Sequence, residues 1–328
     1  MTKILIIRFS SIGDIVLTTP VIRCLKEQIP DIELHYITKK KYLSLLESNP
    51  NIDKLYCINK SIYEVSKVLK KENYDFILDL HRNLRSAQLK LSLLKPFFSF
   101  DKINLKKWLL VNLKINLLPH IHIVDRYLAT ASKFKIINDN KGLDYFISDT
   151  EKINLKQLPL SHRNEYIAIV IGSIHQTKQF PADKIIALCK KIDKPVILLG
   201  DTKDREKGEI IKKSFTDKVF NACGLFSING SASLVQQAIA VVSNDTGLMH
   251  IAAAFRKPLV SLWGNTVTDF GMYPYYPSEE KSKSLILEVK ELRCRPCSKL
   301  GFKECPKKHF NCMNNIDIDE IANFVNSF

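Results

Sequence analysis

Hydrophobic and polar positions along this chain follow two rhythms, short β-branched runs and longer stretches of helical spacing. Lys3 to Arg8 is a compact apolar run of the kind a strand buried on both faces requires. The turn Ser10-Ser-Ile-Gly-Asp14 follows, and the spacing then predicts a helix from Ile15 to about Gln28, closed by Pro30. Glu33 to Thr38, Lys54 to Ile58 and Asp75 to Leu80 read as strands, with helices over Tyr42 to Glu47 and Ile62 to Lys71. The polar turn His81-Arg-Asn-Leu-Arg85 comes next. A polar stretch from Thr150 to Glu165, carrying Pro159, reads as a linker, after which the alternation restarts. Strands are expected at Tyr166 to Ile171, Pro195 to Leu199, Ala240 to Ser243 and Pro258 to Trp263. Helices are expected at Ala182 to Lys191, Thr246 to Phe255 and Asp317 to about Phe328.

Alternation of this kind predicts an α/β fold of two Rossmann-like, doubly wound domains facing a central cleft. The boundaries are set at 1–155 and 156–328, the final helix being a candidate to pack back on the first domain. The 328 residues agree, at about 150 per domain, and the composition (45% hydrophobic, 25% charged) excludes a disordered or fibrous chain. Lys and Arg number 49 against 34 Asp and Glu, a net charge of +15. That excess suits anionic partners, or equally a solvated lysine-rich surface. No apolar stretch reaches the ~18 residues of a membrane helix, and the first run is too short for a signal peptide. The expected location is cytoplasmic, at most peripheral on the inner membrane through charge.

The strongest local signal is Ser243-Asn-Asp-Thr-Gly-Leu-Met-His250, set between two apolar strands. Asp245 and Thr246 can cap the helix, Gly247 admits an anion close to the backbone, and the helix amino end suits a diphosphate. A plain cap on a core helix explains the same residues. His250, one turn in, lies on the face of Thr246 and Gly247. A second turn, Gly172 to Pro181, carries Lys178, which either neutralises a phosphate or is solvated. Neither a Walker pattern nor Gly-x-Gly-x-x-Gly occurs. Asp14, after Gly13, is either a helix cap or a general base. Arg82, Arg85 and Arg126 could form an anion-binding patch or face solvent.

Together and in order, these pieces resemble bacterial glycosyltransferase family 9, best known for the lipopolysaccharide heptosyltransferases. The anchors are Ile6-Ile-Arg-Phe-Ser-Ser-Ile-Gly-Asp-Ile-Val-Leu-Thr-Thr-Pro20, Tyr74-Asp-Phe-Ile-Leu-Asp-Leu80, Lys178-Gln-Phe-Pro181 and Ser243 to His250. Cys294-Arg-Pro-Cys297 and the run Cys305 to Met313 are similar to the tail of the heptosyltransferase II branch. The resemblance implies the GT-B arrangement, an acceptor-binding first domain, a nucleotide-sugar-binding second domain, and inverting transfer that needs no metal or other cofactor. By that likeness Asp14 matches the catalytic carboxylate. Ser173, Lys178, Asp245, Thr246, Gly247, Leu248 and His250 match donor-binding positions, and Glu206, or Asp204, the acid near the donor ribose. Gly13, Arg85 and Arg126 fall on the acceptor side. His81-Arg82 departs from the small or amide residues common at that turn. The implied partners are a nucleotide-diphosphate sugar, ADP-heptose first, an anionic glycolipid acceptor, and the cytoplasmic membrane face.

A nucleotide-sugar epimerase of the same build would share the diphosphate site without an acceptor, and a non-catalytic glycan-binding protein would bind without turnover. No nucleic-acid-binding motif accompanies the charge, so no nucleic acid is expected as a partner. Cys294, Cys297, Cys305 and Cys312, with His309 between them, are either a candidate structural zinc site or a loop of packed thiols.

Overall fold

The computed structural model describes residues 2–328. The chain divides into two compact units, one of residues 1–102 and 121–146 and the other of residues 103–120 and 147–328. The expected division at 155 therefore moves to 146, and a piece of the first half belongs to the second unit. That piece shares an apolar cluster in which Leu110 and Leu118 join Val267 and Phe270, so its buried face is completed by distant residues.

The first unit contains strands β1 (Thr2–Ile7), β2 (Ile32–Lys39), β3 (Lys54–Ile58), β4 (Phe76–Asp79) and β5 (Phe97–Ser99). All pairings are parallel, in the order β3-β2-β1-β4-β5. Its helices are α1 (Ile12–Val16), α2 (Thr19–Gln28), α3 (Tyr63–Lys71) and α4 (Leu84–Leu93). Two more follow in the chain, α5 (Asn104–Leu113), which belongs to the second unit, and α6 (Ile123–Ala129). The expected single helix from Ile15 to Gln28 is two helices. Pro20, lacking an N–H, cannot donate to the Val16 carbonyl, which accepts instead from the Thr19 hydroxyl at 2.8 Å. The short helix expected at Tyr42 is a 3-10 helix, Lys40–Leu45. Arg85 lies on α4 rather than in a turn, because Asn83 caps that helix by accepting from the Ser86 N–H.

The second unit contains β6 (Ile167–Val170), α7 (Ala182–Lys191), β7 (Val196–Leu199), α8 (Arg205–Lys212), β8 (Val219–Asn221) and α9 (Ile228–Gln237). There follow β9 (Ala240–Asn244), α10 (Gly247–Ala254), β10 (Leu259–Trp263), β11 (Ser284–Glu288), α11 (Asn311–Asn314) and α12 (Ile318–Asn326). This six-stranded sheet is also parallel, ordered β11-β10-β9-β6-β7-β8. The final helix, expected as a candidate to pack on the first domain, belongs to the second unit. Ile321, Ala322 and Val325 enter the second unit's core beside Ile185, Leu188 and Val260. None of the described helices is long and apolar enough to cross a membrane.

Strand order reverses between β1 and β4 in one sheet and between β6 and β9 in the other. In open parallel sheets such switch points leave a crevice beyond the carboxyl ends of the strands, where ligands bind. Ile7 pairs with Asp79 at the first and Val170 with Ser243 at the second, so the residues following those four face the two crevices.

Candidate active site

In the first unit, β1 delivers Arg8 and the turn that opens α1. Ser11 occupies the cap position and Asp14 is the third helical residue. One Asp14 oxygen accepts from the Ser11 N–H (3.1 Å) and hydroxyl (2.6 Å); the other meets the Arg8 guanidinium at 2.5 Å. Arg8 is buried, donates to the Ser10 and Leu80 carbonyls, and lies 5.6 Å from the centre of the Tyr127 ring. Burial opposes its charge, yet the Asp14 carboxylate holds its pKa above the usual range. Asp14 thus closes a helix turn and carries an ion pair, while Gly13 is buried beside it.

At the end of β4, the fully buried Asp79 accepts from the N–H groups of His81 (3.0 Å) and Arg82 (2.7 Å) and from the Ser86 hydroxyl (2.8 Å). Its ion pair with Lys90 is 2.8 Å long. These bonds hold a tight bend in which Arg82 adopts a left-handed backbone (φ 49°). The bend sets His81 edge-on to Phe9 at 5.3 Å, with a buried Nδ1 that has no hydrogen-bond partner among the described residues. Burial, then the charges of Arg8 and Lys102, push the His81 pKa down to about 4. Burial and Arg8 likewise lower the Lys102 ammonium, with Asp79 and Asp14 opposing. His81 at neutral pH is therefore an uncharged imidazole within the electrostatic reach of Asp14.

The three arginines expected in one patch are treated differently. Arg82 is exposed and pairs with Asp101 at 3.3 Å. Arg126 is buried, its pKa lowered by that burial, and its guanidinium reaches the Asp101 carbonyl at 3.4 Å. Arg85 is half-buried and, after burial itself, is the main charge lowering the Lys39 pKa. Arg8 and Lys102 escaped the sequence reading, and His81 was noted there only as a departure at its turn. A charged residue ending a buried strand was a usable signal for Arg8; the other two required knowing that β1 and β4 are neighbours.

In the second unit, Lys178 ends a 3-10 turn after β6, and its ammonium lies 2.5 Å from Asp245. The same Asp245 oxygen accepts from the Thr266 hydroxyl at 2.9 Å. Thr246 caps α10 in an extended conformation but makes no side-chain cap bond, Gly247 opens the helix, and Leu248 and His250 are buried along it. Asn244 joins the two loops, accepting from the Phe180 N–H (3.0 Å) and donating to the Val170 carbonyl (3.1 Å). Lys207 donates to the Phe180 carbonyl at 2.7 Å and to Gln179 and Ile171 at longer range; burial pushes its pKa down to about 8. Ser173 is half-buried, and its carbonyl accepts from the Gln179 amide at 2.9 Å. Glu206 is exposed on α8. The acid tied into this loop is Asp204, which accepts from the Asp201 N–H (2.9 Å) and the Gln179 amide (3.4 Å). It presses against Gly172 and Gly200 so closely that a Cβ on Gly172 would stand 2.1 Å from its carboxylate. Only glycine leaves room there.

The cysteine-rich segment braces the Lys178 loop. Thr177 and Phe302 share three hydrogen bonds: the Thr177 N–H and hydroxyl donate to the Phe302 carbonyl (3.2 and 3.3 Å), and the Phe302 N–H donates to the Thr177 hydroxyl (2.8 Å). Arg295 donates to the Gly264 and Thr266 carbonyls (2.6 and 2.9 Å) and pairs with Glu288 at 2.8 Å. Cys294 lies 3.9 Å from His309, but among the described residues no three of Cys294, Cys297, Cys305, Cys312 and His309 converge as metal ligands would. Burial raises the Cys297 thiol to about 11 and the Cys312 thiol to about 12, so both are protonated at neutral pH. The zinc expectation finds no support in this geometry. Glu33, His35 and Glu72 do converge at the opposite, amino end of the first sheet, where Lys3, Lys54 and Tyr56 already engage the carboxylates.

Known proteins resemble this chain in sequence and in fold. The family model "Glycosyltransferase family 9 (heptosyltransferase)" matches residues 62–302, a span that holds the Lys178 and Asp245 loops but not Asp14. Lipopolysaccharide heptosyltransferase 1 of Campylobacter coli is 30% identical over 288 residues, 80% of this chain and 84% of that protein. Lipooligosaccharide heptosyltransferase 2 of Haemophilus influenzae is 27% identical over 324 residues, 88% of this chain and 89% of that protein. The fold matches that of Escherichia coli ADP-heptose lps heptosyltransferase II with a TM-score of 0.76 at 22% identity, covering 99% of this chain and 98% of that one. A family 9 glycosyl transferase from Veillonella parvula superposes with a TM-score of 0.80 at 21% identity, covering 99% and 96%.

Proposed function

Because the chain belongs to glycosyltransferase family 9, we propose that it moves heptose from ADP-heptose onto an anionic lipopolysaccharide-core glycolipid, inverting the anomeric centre and using no metal. The observation that carries this reading is the pairing of an anion-suited loop at one switch point with a carboxylate turn at the other.

In the second unit, the Lys178 ammonium and the uncapped N–H groups opening α10 are suited to a diphosphate, whose charge grows as the sugar departs. Asp245 and Thr266 keep Lys178 aimed, and Asp204, through Gln179, fixes the loop that bears Ser173. In the first unit, Asp14 takes the proton of the acceptor hydroxyl as that oxygen attacks the anomeric carbon opposite the diphosphate. Arg8 and Ser11 fix the carboxylate's orientation. Arg85, Arg126 and Lys102 give that edge the positive potential an anionic acceptor needs. The reaction belongs at the cytoplasmic face of the inner membrane, where a glycolipid acceptor presents its core.

The test is turnover of ADP-heptose with a heptose-free core acceptor, followed by mass spectrometry and by the anomeric configuration of the product. Acceptor-dependent release of ADP with inverted stereochemistry is expected. Sugar isomerisation without acceptor would replace this reading with the epimerase one, and binding without turnover would reduce the protein to a glycan-binding one.

A further inference from the structure

No carboxylate occurs between Asp101 and Asp125, a stretch that carries Lys102, Lys106, Lys107 and Lys114. Residues 103–120 of it belong to the second unit, and α5 is their helical part. One side of this segment is fastened down. Leu110 and Leu118 are buried against Val267 and Phe270, the Lys107 ammonium lies 5.5 Å from the Phe270 ring, and Asn116 donates to Asp269 at 2.7 Å. Lys114 donates to the Pro296 carbonyl at 2.7 Å.

The opposite side is apolar as well, and it faces outward. Leu105 is 71% exposed, Trp108 47% and Leu113 54%, and the chain beyond the helix adds Ile115 and Leu117. Leu105 and Trp108, three residues apart, share one face of α5. A helix that is apolar on both its packed and its outward face has an unmet partner. Two features choose among partners. The strip combines a tryptophan and branched aliphatics with flanking lysines, the composition of helices that lie in a bilayer interface. It also carries no acid, so nothing within it repels a negatively charged headgroup.

We propose that the outward face of residues 104–117 lies in the interface of an anionic lipid bilayer, with Leu105, Trp108, Leu113, Ile115 and Leu117 among the acyl-chain roots and Lys106 against the phosphates. The assignment deepens the glycolipid reading and rests on it for its purpose, while its test uses vesicles that contain no acceptor.

Trp108 is a built-in probe, because the other tryptophan, Trp263, is buried. Its emission is expected to shift to the blue, and to be quenched by brominated acyl chains, in phosphatidylglycerol vesicles but not in phosphatidylcholine vesicles. Leu105→Ser with Leu117→Ser should lower partitioning into the anionic vesicles about tenfold or more, and Lys106→Glu should lower it further. Both variants should keep the wild-type melting temperature and the wild-type rate on a water-soluble, deacylated acceptor. An unshifted Trp108, partitioning unchanged in the double variant, or a dimer that the double variant dissolves would overturn the proposal; the dimer would assign the strip to a second copy of the chain. If the vesicles bind but the soluble acceptor is never turned over, the transferase reading fails and the docking surface stands.

Discussion

Arg8 and Asp14 are joined at 2.5 Å across the turn that leads from β1 into α1, and Arg8 is the more deeply buried partner. The carboxylate proposed as the base is therefore also the counter-ion of a guanidinium in the unit's interior. As a helix cap alone, Asp14→Asn would leave stability nearly untouched, since asparagine caps a helix about as well as aspartate. The ion pair changes that expectation. The amide oxygen can still accept from Arg8, but the buried charge loses its neutralising partner, a loss of roughly 1–3 kcal/mol. Transfer should fall by about 10²–10⁴-fold while ADP affinity stays near wild type. Thermal unfolding, calorimetry with ADP and initial rates separate the three effects. Near-wild-type transfer would make Asp14 a structural residue alone.

Lys178→Ala and His250→Ala are each expected to weaken ADP binding about tenfold, the value of one charge-assisted contact of roughly 1.5 kcal/mol. Lys178→Ala should show the larger loss, because it also leaves Asp245 facing the diphosphate with only Thr266 beside it. Titration calorimetry measures both, and unchanged affinity in both would remove the donor assignment.

Activity should survive chelation. In the Asp317-Ile-Asp319 pair Asp317 caps α12 and Asp319 lies in its first turn, so the pair does not end a strand, and in the proposed mechanism Lys178 with the start of α10 carries the positive charge a divalent ion would otherwise bring. Loss of transfer in EDTA, restored by magnesium or manganese, would contradict the mechanism.

His81 predicts the pH response of stability. Its folded pKa, about 4, lies below the ~6.5 of an unfolded chain, so below pH ~6.5 the unfolded state binds the extra proton. The His81 contribution is present above that pH and is lost progressively as pH falls toward 4. His35, His162 and His175 are lowered too and act in the same direction. The melting temperature should therefore drop between pH 6.5 and 4, less steeply in His81→Gln than in wild type. Parallel curves for the two proteins would show that His81 titrates as it does in the unfolded chain.

How far the sequence went depended on whether a signal was local. The turns at Gly13-Asp14 and at Asn244 to Gly247 stand out because small and polar residues interrupt β-branched runs, and both fall at switch points. Helices α4, α5, α6, α8, α9 and α11 were missed; on α5, apolar residues lie both outward, at Leu105, Trp108 and Leu113, and inward, at Leu110, which leaves no clear amphipathic period to read. The short strands β8 and β11 are sheet edges with weak patterns. The likeness to the family offers Glu206 or Asp204 and does not separate them. What ties Asp204 into the loop is Gly172 and Gly200, remote in sequence, which yield their side-chain space to its carboxylate.

Because residues 103–120 belong to the second unit, the backbone passes between the units three times, near 102, 120 and 146. This affects the order in which the protein can be built during synthesis. When α5 leaves the ribosome, Val267 and Phe270, which cover its inner face, have yet to be translated. For the time needed to add about 150 further residues, at roughly 5–20 per second, α5 is an apolar segment without a docking site. The first unit can close around β1 to β5 in that interval, but the second must wait for its third quarter before it can take α5 in. A nascent chain stalled before residue 267 should therefore expose α5 to proteases and chaperones even when the first sheet is already complete.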